Sequence, residues 1–171
     1  FMWFVVDVES DGPIPNKYSM VSFGAVAVTP ALDRTFYGKT RPVSDEWVPE
    51  ALAISGISRE EHLTFDDPKG VMEKFENWIQ TQNRDGRPVL VSDNNGYDAA
   101  WINYYFHYYI GRNPFGFSSR RISDIICGLE GDLRFNWKRF RRTKHDHNPI
   151  NDAKGNAEAL LYFLEKHKIS C

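Results

Sequence analysis

Two acidic residues follow an apolar segment at the start of the chain and could bind a metal ion. The segment 1–6 is rich in aromatic and β-branched residues, as expected of a strand buried on both faces. Asp7 and Glu9 are alternate residues of this strand, so they point the same way, about 6.6 Å apart. Carboxylates desolvated together repel each other, and a divalent cation with oxygen ligands relieves the repulsion. The alternative interpretation is that both residues cap a turn with the polar residues that follow.

Three further polar residues stand where chemistry would need them. Asp98 opens a predicted helix after a short strand, Asp152 opens the last helix, and His147 precedes Asp152 by five residues. Each alone has an ordinary explanation, because an acidic residue favours the first turn of a helix and a loop histidine is usually solvated. An imidazole can also act as a general base near neutral pH. In this order and these contexts, the residues form a specific combination.

The elements that must position these residues follow from the hydrophobic pattern. Strands are predicted over 1–9, 18–29, 34–40 and 89–91. Helices are predicted over 47–57, 68–83, 97–110 and 151–168, and 121–129 is a strand-to-helix segment. The first three strands are expected to form antiparallel hairpins. The fourth is expected to run parallel to the first, because a helix crosses over between them.

The predicted helix 97–110 carries aromatic side chains on all of its faces. They are Tyr97, Trp101, Tyr104, Tyr105, Phe106, Tyr108 and Tyr109. This composition is consistent with packing in the core, with a contact to a second subunit in a homodimer, or with a surface on which bases stack. The three interpretations remain open.

The composition is that of an ordinary globular chain. With 171 residues, 42% hydrophobic and 26% charged, it is expected to form one soluble domain over 1–171. No apolar run approaches the ~20 residues that span a bilayer and no signal peptide is visible, so we expect a cytoplasmic protein without a membrane partner. Two cysteines do not form a disulfide framework. The net charge of −2 means that nucleic-acid binding would need a local basic patch.

The motifs resemble those of the DEDDh 3′–5′ exonucleases, the family of ribonuclease T, oligoribonuclease and the proofreading domains of DNA polymerases. The first motif is Asp7-Val8-Glu9, the second is NNGYDAAWIN with Asp98, and the third, HxxxxDA, runs from His147 to Ala153. SMVSFGAVAV matches the second strand of the family, although many members have an acidic residue in place of Ser22. ALAISGISREE resembles the recurrent GIT-E turn. The sister DEDDy group needs a tyrosine at position 148, which is asparagine here.

The resemblance implies a fold and a mechanism. The fold is an α/β, ribonuclease H-like one, with a five-stranded mixed sheet flanked by helices. Two divalent ions, Mg²⁺ or Mn²⁺, are implied, with Asp7 bridging both, Glu9 and Asp152 completing one site and Asp98 supporting the other. His147 would take the proton from the attacking water, and a 5′-mononucleotide would leave from the 3′ end. His145 is the weaker candidate for this role, since it precedes Asp152 by seven residues rather than five.

Two segments are predicted to bind the substrate. The family holds the terminal nucleotide just after the first motif and around the GIT turn, and the matching residues are Ser10, Asp11, Gly12, Ile54 and Ile57. The segment 134–147 is basic with interleaved aromatic residues, and its densest part is Lys138, Arg139, Arg141 and Arg142. This part is predicted to follow the phosphates of a single strand. The alternative is an ordinary solvated surface.

The expected substrate is single-stranded RNA or a 3′ overhang, because the short chain resembles ribonuclease T and oligoribonuclease. The enzyme alternative is a 3′–5′ DNA exonuclease of the repair or proofreading type. The non-enzyme alternative is an inactive relative that binds nucleic acid. The motifs do not separate RNA from DNA, because recognition of the 2′-hydroxyl depends on the shape of the pocket.

Overall fold

A mixed five-stranded sheet forms the centre of the computed structural model, which describes residues 2–170. The strands are β1 (Trp3–Ser10), β2 (Met20–Ala27), β3 (Thr35–Lys39), β4 (Val89–Ser92) and β5 (Ser119–Arg121). Their order across the sheet is β3-β2-β1-β4-β5. Strand β1 pairs antiparallel with β2 and parallel with β4. The predicted five-stranded mixed sheet is therefore confirmed; Phe1, at the start of the predicted first strand, lies outside the described residues.

Helices cover both faces of the sheet. They are α1 (Pro49–Ile54), α2 (Arg59–His62), α3 (Pro68–Gln82), α4 (Asn95–Ile110), α5 (Ile122–Glu130) and α6 (Pro149–Lys166), with a 3₁₀ turn at Lys138–Phe140. Proline stands in the first turn of α1, α3 and α6, where its missing N–H costs no hydrogen bond. The helices α4 and α6 each begin two residues earlier than predicted, so Asp98 and Asp152 are each the fourth residue of their helix rather than the second.

Alternate side chains of β1 pack into two separate hydrophobic clusters. Phe4 joins the cluster beneath α3 and α4, with Phe75 and Phe106. Val5 joins the cluster beneath α5 and α6, with Ile126. Because β1 is covered on both faces, its carboxyl end is the point where the strand can expose polar side chains.

The structure shows which aromatic residues of α4 are buried in the core and which are exposed. Trp101, Tyr105 and Phe106 are completely buried in the core. Tyr108 is 66% exposed and stacks on Tyr104, with ring centroids 5.4 Å apart. Within residues 2–170, none of the helices is both long enough and apolar enough to cross a membrane.

Gly24 brings the start of α6 close to β1. It pairs with Asp7 across the β1–β2 ladder. A Cβ atom at Gly24 would lie 2.4 Å from the backbone oxygen of Pro149, far inside van der Waals contact. The absence of a side chain at this position therefore lets the first turn of α6, with Asp152, lie beside the acidic end of β1.

Candidate active site

A cleft of about 670 Å³ opens at the carboxyl ends of β1 and β4. The residues lining it include all five predicted catalytic residues, which are Asp7, Glu9, Asp98, His147 and Asp152. Strand β1 supplies the first two, the first turn of α4 supplies Asp98, and the first turn of α6 supplies Asp152. The parallel pairing of β1 with β4 explains this meeting, because parallel strands end at the same edge of the sheet.

Three of the four carboxylates lie close enough to share a cation, and the fourth is held against the same strand. Asp7, Glu9 and Asp152 each offer an oxygen within 4.8 Å of the other two. The backbone N–H of Val8 donates to Oδ1 of Asp98 at 3.1 Å, which fixes the fourth carboxylate against β1. The Oδ2 atoms of Asp98 and Asp152 are buried and have no hydrogen-bond partner among residues 2–170. Unpartnered buried carboxylate oxygens are costly, so this donor set fits hard divalent cations.

Burial raises the pKa values of three of these acids, and nearby carboxylates raise them further. Burial raises the pKa of Asp7 well above its ordinary value; Asp98, Glu9 and Asp152 raise it further and Arg141 opposes them. Burial, with the charge of Asp152, raises the pKa of Glu9 to about 7. Burial likewise raises the pKa of Asp98 to about 7, although the hydrogen bond from Val8 acts in the opposite direction. Positive charge bound in the cleft would lower all three values.

Two histidines, rather than one, lie at the mouth of the cleft. Nδ1 of His147 is 3.9 Å from Oε1 of Glu9, and Nδ1 of His145 is 2.9 Å from Oδ1 of Asp152. The two rings are 4.5 Å apart between centroids, and both side chains are about half exposed. The seven-residue spacing to Asp152 made His145 the weaker candidate for the general base. This spacing does not show that the loop folds back and brings His145 to the cleft as well. The backbone of His147 has φ of 60°, a left-handed conformation that turns the chain into α6.

A buried glutamate of α6 holds the segment that carries both histidines. Oε2 of Glu158 accepts hydrogen bonds from the backbone N–H groups of Arg142 and Thr143, each at 2.8 Å. Its Oε1 accepts from the Thr143 hydroxyl at 2.8 Å. A Cβ atom at Gly155 would lie 2.8 Å from the Thr143 carbonyl oxygen, so the segment rests directly on the helix. Glu158 could not be recognised from the sequence, because nothing local to it indicates a partner in another segment.

The predicted phosphate-binding residues divide into two pairs. Nζ of Lys138 lies 2.7 Å from Oδ2 of Asp93, and the Arg141 guanidinium lies 3.4 Å from the same atom. Lys138 and Arg141 are thus paired with Asp93 in the loop before α4, a partner that the sequence does not predict. Arg139 is exposed and lies over the rings of two phenylalanines, and Arg142 is exposed as well. Lys138 is exposed too, but its ammonium group is paired with Asp93, whereas Arg139 and Arg142 form no ion pair among residues 2–170.

The loop after β1 is more buried than predicted. The hydroxyl of Ser10 donates to the Gly12 carbonyl at 2.6 Å and is hydrogen-bonded to the Tyr97 hydroxyl. The carboxylate of Asp11 is completely buried and accepts from the backbone of Ser19 at 2.6 Å and from Arg59 at 2.9 Å. In this structure the Asp11 carboxylate is thus engaged within the protein, and the contact of this residue with substrate stays a prediction. The observed role of Asp11 is to connect the loop to α2.

The two isoleucines predicted at the terminal nucleotide lie near α1. Ile54 is 55% exposed. Ile57 helps to line a second concavity, of about 380 Å³, together with Trp47 and Leu52. The Arg59 guanidinium lies over the Trp47 ring, 5.3 Å from its centroid, and links this concavity to Asp11.

The fold defined by these elements is that of the DEDDh 3′–5′ exonucleases. The nuclease domain of 3′hExo, a DEDDh family member solved with rAMP, matches with a TM-score of 0.77 at 15% identity, over 96% of this chain and 92% of that one. The zinc-bound complex of Escherichia coli exonuclease I with single-stranded DNA matches with a TM-score of 0.73 at 16% identity, over 98% of this chain. The present chain spans only 41% of that exonuclease I chain.

Sequence comparison assigns the family more narrowly. The model of the 3′-5′ exoribonuclease Rv2179c-like domain matches residues 2–164, and the chain belongs to that family. The 3′-5′ DNA exonuclease Cap18 of Escherichia coli is 37% identical over 174 residues, which cover 94% of this chain and 90% of Cap18. The resemblance to DEDDh exonucleases inferred from the motifs is confirmed.

Proposed function

We propose that this chain hydrolyses single-stranded nucleic acid from its 3′ end, releasing 5′-mononucleotides with the help of two divalent ions. The observation that carries the proposal is the convergence of four carboxylates in the cleft at the end of β1, two of which have a buried oxygen without a hydrogen-bond partner among residues 2–170. All four acids and the histidine of the family motifs are present, which favours hydrolysis over an inactive binding role.

Asp7, Glu9, Asp98 and Asp152 would hold the two ions, and Mg²⁺ or Mn²⁺ suits their oxygen atoms. When bound, such ions stabilise the attacking and leaving oxygens of a phosphoryl displacement. Asp7 offers an oxygen within 4.8 Å of oxygens of Glu9 and Asp152, and the charge of Asp98 raises its pKa. The Val8 amide holds Asp98 in place, and the Asp146 amide donates to Oδ1 of Asp152 at 3.1 Å. These backbone contacts fix the carboxylates before substrate arrives.

His147 is the proposed general base. Its imidazole stands at the solvent-facing mouth of the cleft, within 3.9 Å of Glu9, where it can accept a proton from a water molecule and pass it to solvent. His145 is the second candidate because it also lines the cleft. Its close contact with Asp152 favours an orienting role instead.

RNA is the proposed preferred substrate, with DNA as the second candidate. The family description names an exoribonuclease, whereas the relative Cap18 is named a DNA exonuclease. The test uses RNA and DNA of one sequence, labelled at the 5′ end and incubated with Mg²⁺ or Mn²⁺ or with excess EDTA. We expect stepwise shortening that requires metal and is faster on RNA. Faster shortening of DNA would overturn the choice of RNA, and full activity in EDTA would overturn the metal-dependent mechanism.

A homodimer remains a prediction. The stacked, partly exposed pair Tyr104 and Tyr108 on α4 is the aromatic surface that a second copy could cover. Light scattering of the purified chain measures its mass in solution. A dimeric mass that Tyr108→Ala reduces to that of a monomer would support this surface, and a monomeric wild type would contradict it.

A further inference from the structure

Arg121 gives the cleft a positive group that the mechanism above does not use. It is the last residue of β5, and among the described residues that line the cleft it is the only lysine or arginine. The other charged groups of the cleft are the four carboxylates. A nucleic-acid strand brings several phosphates, and a phosphate lying beyond the metal ions would need a cation of its own in such an acidic site.

The contacts of Arg121 orient its guanidinium and leave part of it available. Nε lies 3.3 Å from the backbone oxygen of Asp93, and Nη1 lies 3.3 Å from Oδ1 of Asp124. These contacts use two of the five N–H donors of an arginine. The side chain is half exposed and Asp124 is more exposed still, so water weakens their ion pair. A phosphate can bind the remaining donors through charge-assisted hydrogen bonds.

The sheet order places Arg121 on the far side of the carboxylates from the predicted terminal-nucleotide pocket. That pocket lies at α1 and α2, and His62 of α2 contacts the backbone oxygen of Thr40, just after β3. Strand β5 is at the opposite edge of the sheet from β3, with β1 between them. A nucleic-acid chain whose last nucleotide lies near Ile54, with its scissile phosphate at Asp7, therefore continues toward Arg121.

We propose that Arg121 binds the phosphate on the 5′ side of the penultimate nucleotide and so favours chains over the shortest substrates. This inference rests on the proposed 3′–5′ exonuclease activity. It assigns Arg121 to the strand upstream of the bond that is cut, and not to the scissile phosphate. A charge-assisted hydrogen bond of this kind corresponds to about 10- to 100-fold in kcat/KM.

Two dinucleotides that differ in one phosphate test the assignment. The unphosphorylated dinucleotide has only the scissile phosphate, whereas the 5′-phosphorylated dinucleotide adds the phosphate that Arg121 would bind. Both are used as RNA and as DNA, with Mg²⁺ or Mn²⁺. Arg120→Gln is the matched control, because Arg120 is the neighbouring residue of β5 and its guanidinium lies over the Trp3 ring, 5.6 Å from the centroid, instead of lining the cleft.

We expect the wild type and Arg120→Gln to cleave the phosphorylated dinucleotide about 10- to 100-fold better. Arg121→Gln should bring the ratio close to one while the unphosphorylated dinucleotide is cleaved at the wild-type rate, and Arg121→Lys should restore part of the ratio. An equal loss on both dinucleotides in an Arg121→Gln protein of unchanged melting temperature would overturn the inference, as would an unchanged ratio. A wild type that cleaves no nucleic acid at all would instead overturn the proposed function.

Discussion

The imidazole Nδ1 of His145 lies 2.9 Å from Oδ1 of Asp152. A carboxylate oxygen engaged by a histidine is oriented, but the same histidine is then less able to meet a water molecule. His147 has only the longer 3.9 Å contact with Glu9. The two neighbouring histidines therefore have different surroundings, although either could reach the cleft.

His147→Ala should lower kcat by ~10²–10⁴-fold, the usual loss for a positioned base. The affinity for Mn²⁺, measured by calorimetry, should stay close to that of the wild type. His145→Ala is the matched variant, and it should weaken Mn²⁺ binding more than His147→Ala does, because Asp152 loses an orienting partner. If His145→Ala instead shows the larger loss of kcat with normal metal affinity, the base has been assigned to the wrong histidine.

Glu9→Gln should change how the stability of the metal-free protein depends on pH. Burial raises the pKa of Glu9 to about 7, above its ordinary 4.5. Between these values the folded state holds a proton that the unfolded chain has lost, so stability falls as pH rises through this window. Glutamine does not titrate. The free energy of unfolding of the variant should therefore rise relative to that of the wild type, by on the order of 2 kcal/mol as the pH rises from 4.5 to about 7.

Urea unfolding in EDTA at several pH values measures this difference. Titrating groups far from the cleft cancel in the comparison, whereas Asp7 loses the Glu9 charge that raises its pKa and contributes to the difference. Adding Mg²⁺ should stabilise the wild type more than Glu9→Gln, because the variant has lost a ligand. If the free energies of unfolding of the two proteins depend on pH in the same way, the pKa of Glu9 is not raised in the folded state.

Glu158→Ala should lower kcat through the segment that carries the histidines. Burial acts to raise the pKa of Glu158, but the hydrogen bonds from Thr143 and Arg142 outweigh it and lower the pKa. Removing the carboxylate leaves these donors without their partner, at a cost of about 1–3 kcal/mol in stability. Glu165→Ala, at an exposed position of the same helix, is the control.

A positioning role for Glu158 predicts a fall in kcat with little change in KM, measured at a temperature where circular dichroism shows the variant to be folded. Glu158→Gln keeps one acceptor oxygen and should recover part of kcat. If Glu158→Ala loses stability alone and keeps the wild-type kcat, the contact serves the fold and not the histidines.

Much of the fold could be predicted because its signals are local. The periodic apolar residues of α3 and the prolines at helix starts mark the helices, and the apolar segment at the start of the chain marks β1. Helix α2 was not predicted, since four residues are too few to show a period. The strand within the predicted segment 121–129 was also misplaced: β5 has three residues, all of them polar, and its place at the edge of the sheet depends on its pairing with β4.

The residues of the candidate site were likewise predictable only where their signal is local in the sequence. The family motifs carry the acids and His147 because their spacing along the chain is characteristic. Asp93 and Glu158 could not be found in this way, because their partners lie far from them in the sequence. Asp93 contacts Lys138 of the basic segment, and Glu158 contacts the loop at Thr143. Arg121 gave no signal either, since a surface arginine next to another arginine is common. Tertiary contacts decide which of the two lines the cleft.

The basic segment should separate into a binding pair and a structural pair. Arg139→Gln with Arg142→Gln should flatten the salt dependence of oligonucleotide binding by ~0.7 per lost phosphate contact. Lys138→Gln with Arg141→Gln should lower the melting temperature, because the buried Asp93 carboxylate loses its counter-charges. Fluorescence anisotropy over a range of KCl concentrations measures the first effect. An unchanged slope in the Arg139 and Arg142 double variant would make this surface an ordinary solvated one.

The most direct test of the central claim follows the first product released from a single-stranded RNA whose 3′-terminal nucleotide is labelled. With Mg²⁺ or Mn²⁺, the wild type should release the label at once as a 5′-mononucleotide, while a circular strand of the same sequence stays intact. The Asp7→Asn variant should fold normally and have a rate lower by several orders of magnitude, since the substitution removes a carboxylate that lies within 4.8 Å of oxygens of Glu9 and Asp152. Cutting of the circle, release of the label within longer fragments, or full activity in Asp7→Asn would contradict the account.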